Sequence, residues 1–475
     1  MTERDIQEDS HVGVTARDDS AIAARRRGLT LGLVAGGMFM AVLDATIVNV
    51  ALPAMRADLN ATIGGLAWIV DAYTLSLAAL ILAGGVLADR WGAKRICLAG
   101  LALFVLASAL CGTAGTVACL VAARLAQGAG AALFVPASLA VVRGTFHDAD
   151  ERASAIAMWA GIASIAAAIG PVIGGILVDG LGWRSVFFAN VPTGILAFGL
   201  TAGVVRLRST QHRTHFDWGG QLTSIVMLGT LCFAAIELPE RGADSPVVWL
   251  AAAVAIGAAL GWFLIERRTR DPMVPLVWFR NPTFLAANLV GCLVYVGYFA
   301  MLFILSLYLH GDYGLGARQT GLALLPVAAS LLVGNIIAGR LQALVSPHRL
   351  IAGSLISAAL AAPLAAVLLV GHAAWPAIVG ALAVFGAGTS ASVPPMIATV
   401  LEQVPQSTSG VASGLLNALR QTGSLLGVAI ASAASTLAPD QPAALWIVAV
   451  LAAAVYTLAA GAAIGWIRAP SPQGD

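Results

Sequence analysis

About fourteen apolar runs, each long enough to cross roughly 30 Å of hydrocarbon, occupy most of this 475-residue chain. They fall near residues 29–53, 66–88, 96–115, 117–142, 153–178, 184–205, 217–238, 246–265, 283–309, 318–340, 349–370, 374–400, 409–433 and 443–467. Inside a bilayer every backbone N–H and C=O must find a partner within the protein, so runs of this length are helices. Only 11% of residues are charged, where a soluble domain carries about a quarter, and the mean hydropathy is +0.88. The chain therefore reads as an all-α polytopic membrane protein.

Composition removes several other classes. A net charge of +2 gives no basis for a nucleic-acid partner. The five cysteines (Cys97, Cys111, Cys119, Cys232, Cys292) lie in apolar runs without metal-ligand spacing and read as lipid-facing or packing residues. His212 and His215 stand close together but lack a third ligand, so neither a zinc site nor any other cofactor is expected. No paired carboxylates, nucleophile–base set or phosphate loop is present to make an enzyme.

Loop charges alternate in sign bias. With the N-terminus inside, the inner segments hold Arg25–Arg27, Arg90, Lys94, Arg95, Arg143, Arg152, Arg206, Arg208, Arg213, Arg267, Arg268, Arg270, Arg280, Arg340 and Arg349, and the outer ones only Arg56, Arg184, Arg241 and Arg318. By the positive-inside rule both termini are expected in the cytoplasm. Residues 1–27, ending in three arginines, read as a retained cytoplasmic tail, not an export signal.

Four charges lie inside apolar runs: Asp44, Asp71, Arg124 and Arg420. A charge at the bilayer centre costs about 2.5–3.5 kcal/mol even on lenient scales, so such groups face protein or a water-filled path. Asp44 lies about fifteen residues into helix 1, roughly 22 Å along it, which places it past the midplane. It reads either as a proton-exchanging carboxyl or as a structural acid joining helices. Asp71 is expected in the first turns of helix 2, where an acid also suits the helix dipole. Arg124 has Gln127 one turn further on the same face, and stays protonated, so it cannot itself carry a proton. Asn417, Arg420, Gln421 and Ser424 recur at helical spacing and form one polar stripe, either touching substrate or joining helices.

A repeat is also legible. Gly128-Ala129-Gly130, Val135-Pro136 and Ala140 recur 258 residues later as Gly386-Ala387-Gly388, Val393-Pro394 and Ala398. Gly84, Ala88 and Arg90 recur 250 residues later as Gly334, Ala338 and Arg340. Parallel repeats of this kind suit a transporter that rocks two bundles about a central site.

Three stretches carry a family resemblance. Gly85-Val86-Leu87-Ala88-Asp89-Arg90-Trp91-Gly92-Ala93-Lys94-Arg95 reads as a two-glycine turn with an acid beside bases. Helix 4 carries Leu120, Arg124, Gln127-Gly128 and Gly130-Ala131-Ala132, and helix 5 carries Gly161, then Gly170-Pro171-Val172-Ile173-Gly174-Gly175. In order and place these resemble signature motifs A, B and C of the major facilitator superfamily. Leu43-Asp44-Ala45-Thr46-Ile47-Val48-Asn49-Val50-Ala51-Leu52-Pro53 resembles the helix 1 motif of its fourteen-helix drug:proton antiporters. Trp183-Arg184, Phe187, Asn190 and Pro192, the segment from Asp271-Pro272 to Arg280-Asn281, and the run from Gly410 to Gln421 fit the same family. The second-half copy of motif A has Gly339 where Asp89 stands.

The resemblance implies a major facilitator fold of two six-helix bundles plus two extra helices. The expected divisions are a tail at 1–28, bundles at 29–206 and 283–467, a linker with two helices at 207–282, and a tail at 468–475. It implies a proton-coupled antiporter exporting small organic compounds across the plasma (inner) membrane, acting as a monomer, with substrate, protons and membrane lipids as its partners. Asp44 and Arg124 would couple protons. Asp71, Asn49, Gln127, Asn417, Arg420 and Gln421 would line the substrate cavity, Asp71 favouring cations. Gly85, Asp89, Arg90, Gly92, Lys94 and Arg95 would form a latch closing the inner side. Gly161, Gly170, Pro171, Gly174 and Gly175 form the motif associated with export, although close helix packing would explain those glycines too. A carrier dedicated to one metabolite or natural product is the alternative, and a membrane protein without transport activity the more distant one.

Overall fold

The computed structural model describes residues 3–146, 148–205, 217–269, 274–405, 408–438 and 440–467, with side chains from residue 28 onward apart from those at 149, 150, 153, 157 and 160. Nearly all of it is helix, and no strand occurs among the described residues. The elements are α1 (Glu3–Leu59, spanning from Gly28), α2 (Ile63–Trp91), α3 (Ala93–Thr113), α4 (Val117–Thr145), α5 (Ala149–Leu181), α6 (Ser185–Phe188) and α7 (Asn190–Val204). Then come α8 (Trp218–Arg241), α9 (Pro246–Arg268), α10 (Pro282–Gly311), α11 (Ala317–Leu341), α12 (Pro347–Val370), α13 (Trp375–Ala391), α14 (Val393–Glu402), α15 (Ser409–Leu437) and α16 (Gln441–Trp466). The side on which α1 begins and α16 ends is called the near side, and its opposite the far side.

Helix starts follow local chemistry. Thr62, Thr116, Asp217 and Asp440 each accept a hydrogen bond from a backbone N–H of the first turn, while Pro246, Pro282 and Pro347 stand where a missing N–H costs nothing. Two spans are built from two pieces. The sixth breaks at Ala189 into α6 and α7, and the twelfth breaks at Ser392, where Pro394 and Pro395 cannot continue the backbone ladder.

Thirteen spans among the described residues are long and apolar enough to cross a membrane. The exception is α15, which is 29 residues long but carries the Asn417–Ser424 stripe. The fourteenth run of the sequence is thus a helix of spanning length whose polarity marks an interior position. It packs on α10 and α2, with no need to face lipid.

The expected two-glycine turn is corrected: Gly85 lies within α2, and only Gly92 turns the chain, at φ 97°, a conformation that glycine alone adopts freely. Asp44 is corrected as well, since α1 runs on to Leu59 and places the acid near the middle of its span.

The sequence repeat is a packing repeat. A Cβ on Gly128 would collide with the Tyr73 carbonyl and Ser76 Oγ of α2, and one on Gly386 with the Val327 carbonyl and Ser330 Oγ of α11. Gly84 meets the Ala132 carbonyl of α4 as Gly334 meets that of Ala387 on α13. Only glycine lets these helix pairs approach so closely.

Between α1–α7 and α10–α16 there are two main crossings, α5 on α11 and α2 on α15. The extra hairpin α8–α9 lies outside, with α8 against α2 and α15. Its apolar side chains, among them Leu222, Trp249, Leu250 and Ile256, are exposed as a lipid-facing surface requires. Three bonds fix α8 to α2: Gln221 Nε2 to the Ala79 carbonyl at 2.6 Å, Trp68 Nε1 to Glu237 Oε1 at 3.0 Å, and Gly64 N to Glu240 Oε1 at 2.8 Å.

Candidate functional site

Asp44 of α1 sits at the centre of a buried polar cluster drawn from five elements. Arg124 Nη1 of α4 forms an ion pair with Asp44 Oδ2 and also donates to Gln127 Oε1 at 2.7 Å. Gln127 Nε2 donates to Asp44 Oδ1 at 2.9 Å and to Ser108 Oγ of α3 at 2.8 Å. Asn190 Nδ2, at the start of α7, donates to Asp44 Oδ1 at 2.8 Å. The guanidinium also gives Nε to the Ile69 carbonyl of α2 at 3.0 Å, and its carbon lies 4.5 Å from the centre of the Tyr73 ring. No side chain among Asp44, Arg124, Gln127, Ser108 and Asn190 exceeds 3% exposure.

Local packing makes this arrangement possible. The Gly128 contact draws α4 against α2, which brings Arg124 beneath the Ile69 carbonyl. Tyr73 closes the cluster from above, its hydroxyl donating to the Ala41 carbonyl at 3.1 Å. The cluster carries no net charge while Asp44 is ionised. Protonating Asp44 would leave Arg124 as a buried, unbalanced cation, a state of much higher energy unless helices shift. A single proton can therefore act as a mechanical trigger here.

Asp71 is elsewhere. It lies in the third turn of α2, deeper than the first turns expected, at 0% exposure, and neither carboxylate oxygen meets a donor among the described residues. It shares a face of α2 with Leu82, which touches Gly414 of α15. The two acids of the first seven helices therefore occupy unlike settings, one saturated and one bare.

The α15 stripe divides likewise. Asn417, Arg420 and Gln421 are half-buried, whereas Ser424 is buried and its hydroxyl has no partner among the described residues. Arg420 donates from Nη2 to the Tyr295 hydroxyl of α10 and stacks over that ring at 4.4 Å; its buried Nε has no partner among the described residues. Asn49 is buried at a joint, its backbone carbonyl accepting from Ser306 Oγ of α10 at 2.5 Å. Gln127 belongs to the Asp44 cluster and lines no accessible space.

Motif C lies at the α5–α11 crossing on the far side. A Cβ on Gly175 would stand 2.7 Å from the Ala317 carbonyl oxygen and 2.8 Å from Arg318 Cα, and the Pro171 carbonyl abuts Gly321. Gly170 and Gly174 press against Thr46 and Ile47 of α1. Gly161, toward the near side, has nothing within 4 Å of where a Cβ would stand. The two helix sets thus meet tightly at the far side. On the near side Lys94 Nζ donates to the Ala202 carbonyl of α7 at 2.7 Å, while Asp89, Arg90 and Arg95 are exposed.

Sequence reasoning did not assign Asn190, Ser108, Tyr73 or Tyr295 to a site. Asn190 carried a signal as an amide in an apolar run; a lone serine or tyrosine in such a run carries none. Among the described residues no group of three His, Cys, Asp or Glu could hold a metal, and His212 and His215 lie outside them, as does Asp271-Pro272.

Residues 34–428 and 287–474 match the sequence profile of the Major Facilitator Superfamily. The chain belongs to that superfamily. It is accordingly a multi-pass membrane transporter of small molecules and not an enzyme. It is 36% identical over 428 residues to the methylenomycin A resistance protein of Bacillus subtilis (strain 168), covering 90% of this chain and 92% of that one. It is 36% identical over 410 residues to the multidrug resistance protein Stp of Mycobacterium tuberculosis (strain CDC 1551 / Oshkosh), covering 86% and 75%. With the tetracenomycin C resistance and export protein of Streptomyces glaucescens it shares 33% over 430 residues, covering 87% and 77%. Among solved folds, a POT family transporter superposes with a TM-score of 0.69 at 13% identity over 90% of this chain and 94% of its own. A D-xylose-proton symporter gives 0.67 at 13% over 93% and 98%.

Proposed function

We propose that this superfamily member is a proton-driven exporter of small organic compounds in the plasma (inner) membrane, a monomer with its near side and both termini in the cytoplasm. Its working parts are two six-helix bundles, 29–206 and 283–467, with the α8–α9 segment inserted between them and short tails at 1–28 and 468–475. The observation that carries the coupling is the saturated, charge-neutral Asp44–Arg124 cluster. In this scheme the far side opens and Asp44 takes up a proton from outside as substrate leaves. Arg124 then loses its counter-charge, and the neutral carboxyl favours the return to a cytoplasm-facing state, where a new substrate binds and the proton departs. Asp71 serves as a second proton site. The tight far-side closure at Gly175 and Gly321 fits the cytoplasm-facing end of this cycle, with the Asp89–Arg95 latch acting at the other end.

The test is efflux from proteoliposomes under an imposed proton gradient, with and without a protonophore. Asp44→Asn should lose uphill efflux while keeping the fold; uphill efflux at the unmodified rate in that variant would sink the scheme. A second reading is a carrier dedicated to one natural product, favoured by relatives named for single antibiotics such as methylenomycin A and tetracenomycin C. A substrate panel in a host lacking its own pumps separates the two.

A further inference from the structure

Arg420 is the one intramembrane arginine without a counter-ion among the described residues. Arg124 has Asp44, but α10 to α16 contain no acid within their membrane cores: Asp312, Glu402 and Asp440 all lie at helix ends or in loops. No ion pair joins Arg420 to Asp71 either, although α2 and α15 are neighbours. The one hydrogen bond of this guanidinium among the described residues goes to the Tyr295 hydroxyl. Stacking on the Tyr295 ring attracts the cation without neutralising it. Among the described residues neither Nη1 nor Nε, which is itself buried, has a hydrogen-bond partner.

Two further facts show that this charge is available to a ligand. Arg420, Asn417 and Gln421 are half-buried, whereas the next turns of α15, at Gly423, Ser424 and Leu425, are closed. The stripe therefore keeps partial exposure between the closed positions Leu415–Leu416 and Gly423–Leu425. Its polar groups are also under-used: among the described residues the Ser424 hydroxyl has no partner, nor does the Asn288 Oδ1 of the facing helix α10. A planar guanidinium with free donors, flanked by amides, matches a carboxylate or similar anion better than any other group.

We propose that Arg420 is the recognition point for an anionic group, most simply a carboxylate, on the exported compound, assisted by Asn417 and Gln421. The proposal rests on the reading of the chain as an exporter whose substrate binds between α1–α7 and α10–α16, and it names the chemical class of that substrate. It departs from the cation preference suggested by Asp71, because Asp71 is closed off and Arg420 is not.

Binding to the purified protein in detergent tests this without any proton gradient. Three probes share one ring and differ in head group: 2-naphthoate, 2-naphthamide and 2-naphthyltrimethylammonium, measured by equilibrium dialysis. The unmodified protein should bind the carboxylate at least tenfold more tightly than the other two. Arg420→Gln should erase that preference while changing the other two less than twofold, and Arg420→Lys should retain part of it. Tyr295→Phe guards against a folding failure of Arg420→Gln: it removes the hydroxyl but keeps the charge, so the carboxylate preference should survive. Equal losses for all three probes, preference for the trimethylammonium head, or no carboxylate binding by the unmodified protein would each overturn the site. Carboxylate preference in a protein whose efflux ignores the proton gradient would uphold the site and refute the coupling scheme alone.

Discussion

Replacing Asp44 by Asn puts the central cluster to a quantitative test. Asp44 accepts from Arg124, Gln127 and Asn190, all at 3% exposure or less. In Asp44→Asn the remaining oxygen can keep two of these donors, but the new amide N–H₂ faces a guanidinium that also only donates. Arg124 is left charged, buried and unpaired. Breaking a buried pair on one side costs about 3–5 kcal/mol, which at 1.4 kcal/mol per tenfold is two to three and a half orders of magnitude in the folding equilibrium. Replacing both partners, Asp44→Asn with Arg124→Met, removes the stranded charge. The double variant should therefore recover at least about 2 kcal/mol relative to the sum of the single changes. Unfolding of purified protein in mixed micelles, followed by tryptophan fluorescence, supplies the four values of the cycle. Additive costs within about 0.5 kcal/mol would show that the two groups do not depend on each other, and a proton on Asp44 could then not act through Arg124.

Other outcomes follow from single features. Asp71→Leu removes a buried carboxyl that has no donor and should raise stability by about 1–3 kcal/mol in thermal melts, while lowering transport. Gly175→Val places a side chain against the Ala317–Arg318 backbone, so it should disfavour the far-side-closed state. In a background without native cysteines, Asn49→Cys should then label severalfold faster with an impermeant thiol reagent added from the far side; unchanged labelling would contradict the assigned closure. Gln221→Ala and Glu240→Gln each remove or weaken one α8–α2 bond and should each cost about 0.5–1.5 kcal/mol in the same unfolding assay.

Hydrophobic length made nearly all the helices legible, because a bilayer leaves a long apolar run no other structure. Periodicity also placed the α15 stripe and the glycine repeat correctly on helix faces. Pairing was harder to read. The family resemblance coupled Asp44 with Arg124, yet nothing in the linear chain itself brings residue 44 to residue 124 when Asp71 is the nearer acid in sequence. The decision is made by the Gly128 contact, which holds α4 against α2 and aims Arg124 at α1. The setting of Asp71 was illegible for the same reason: its isolation depends on α8, a helix more than 140 residues later. Helix breaks at Ala189 and Ser392 were blurred because proline marks a discontinuity without saying whether the chain bends or ends.

The fastening of α8 leaves the molecule lopsided. Its described interhelical hydrogen bonds to α2 are three, and its described contact with α15 is packing, so we expect it to travel with α2 and slide across α15. The α2–α15 crossing is thereby sheathed from the bilayer, while among the described residues no further helix covers the α5–α11 crossing in the same way. A compound dissolved among the lipid tails thus meets one flank shut by a permanent shutter and one flank bare. If amphipathic cargo enters sideways from the membrane, it has a single doorway, and the glycine-lined edge of α5 is its frame.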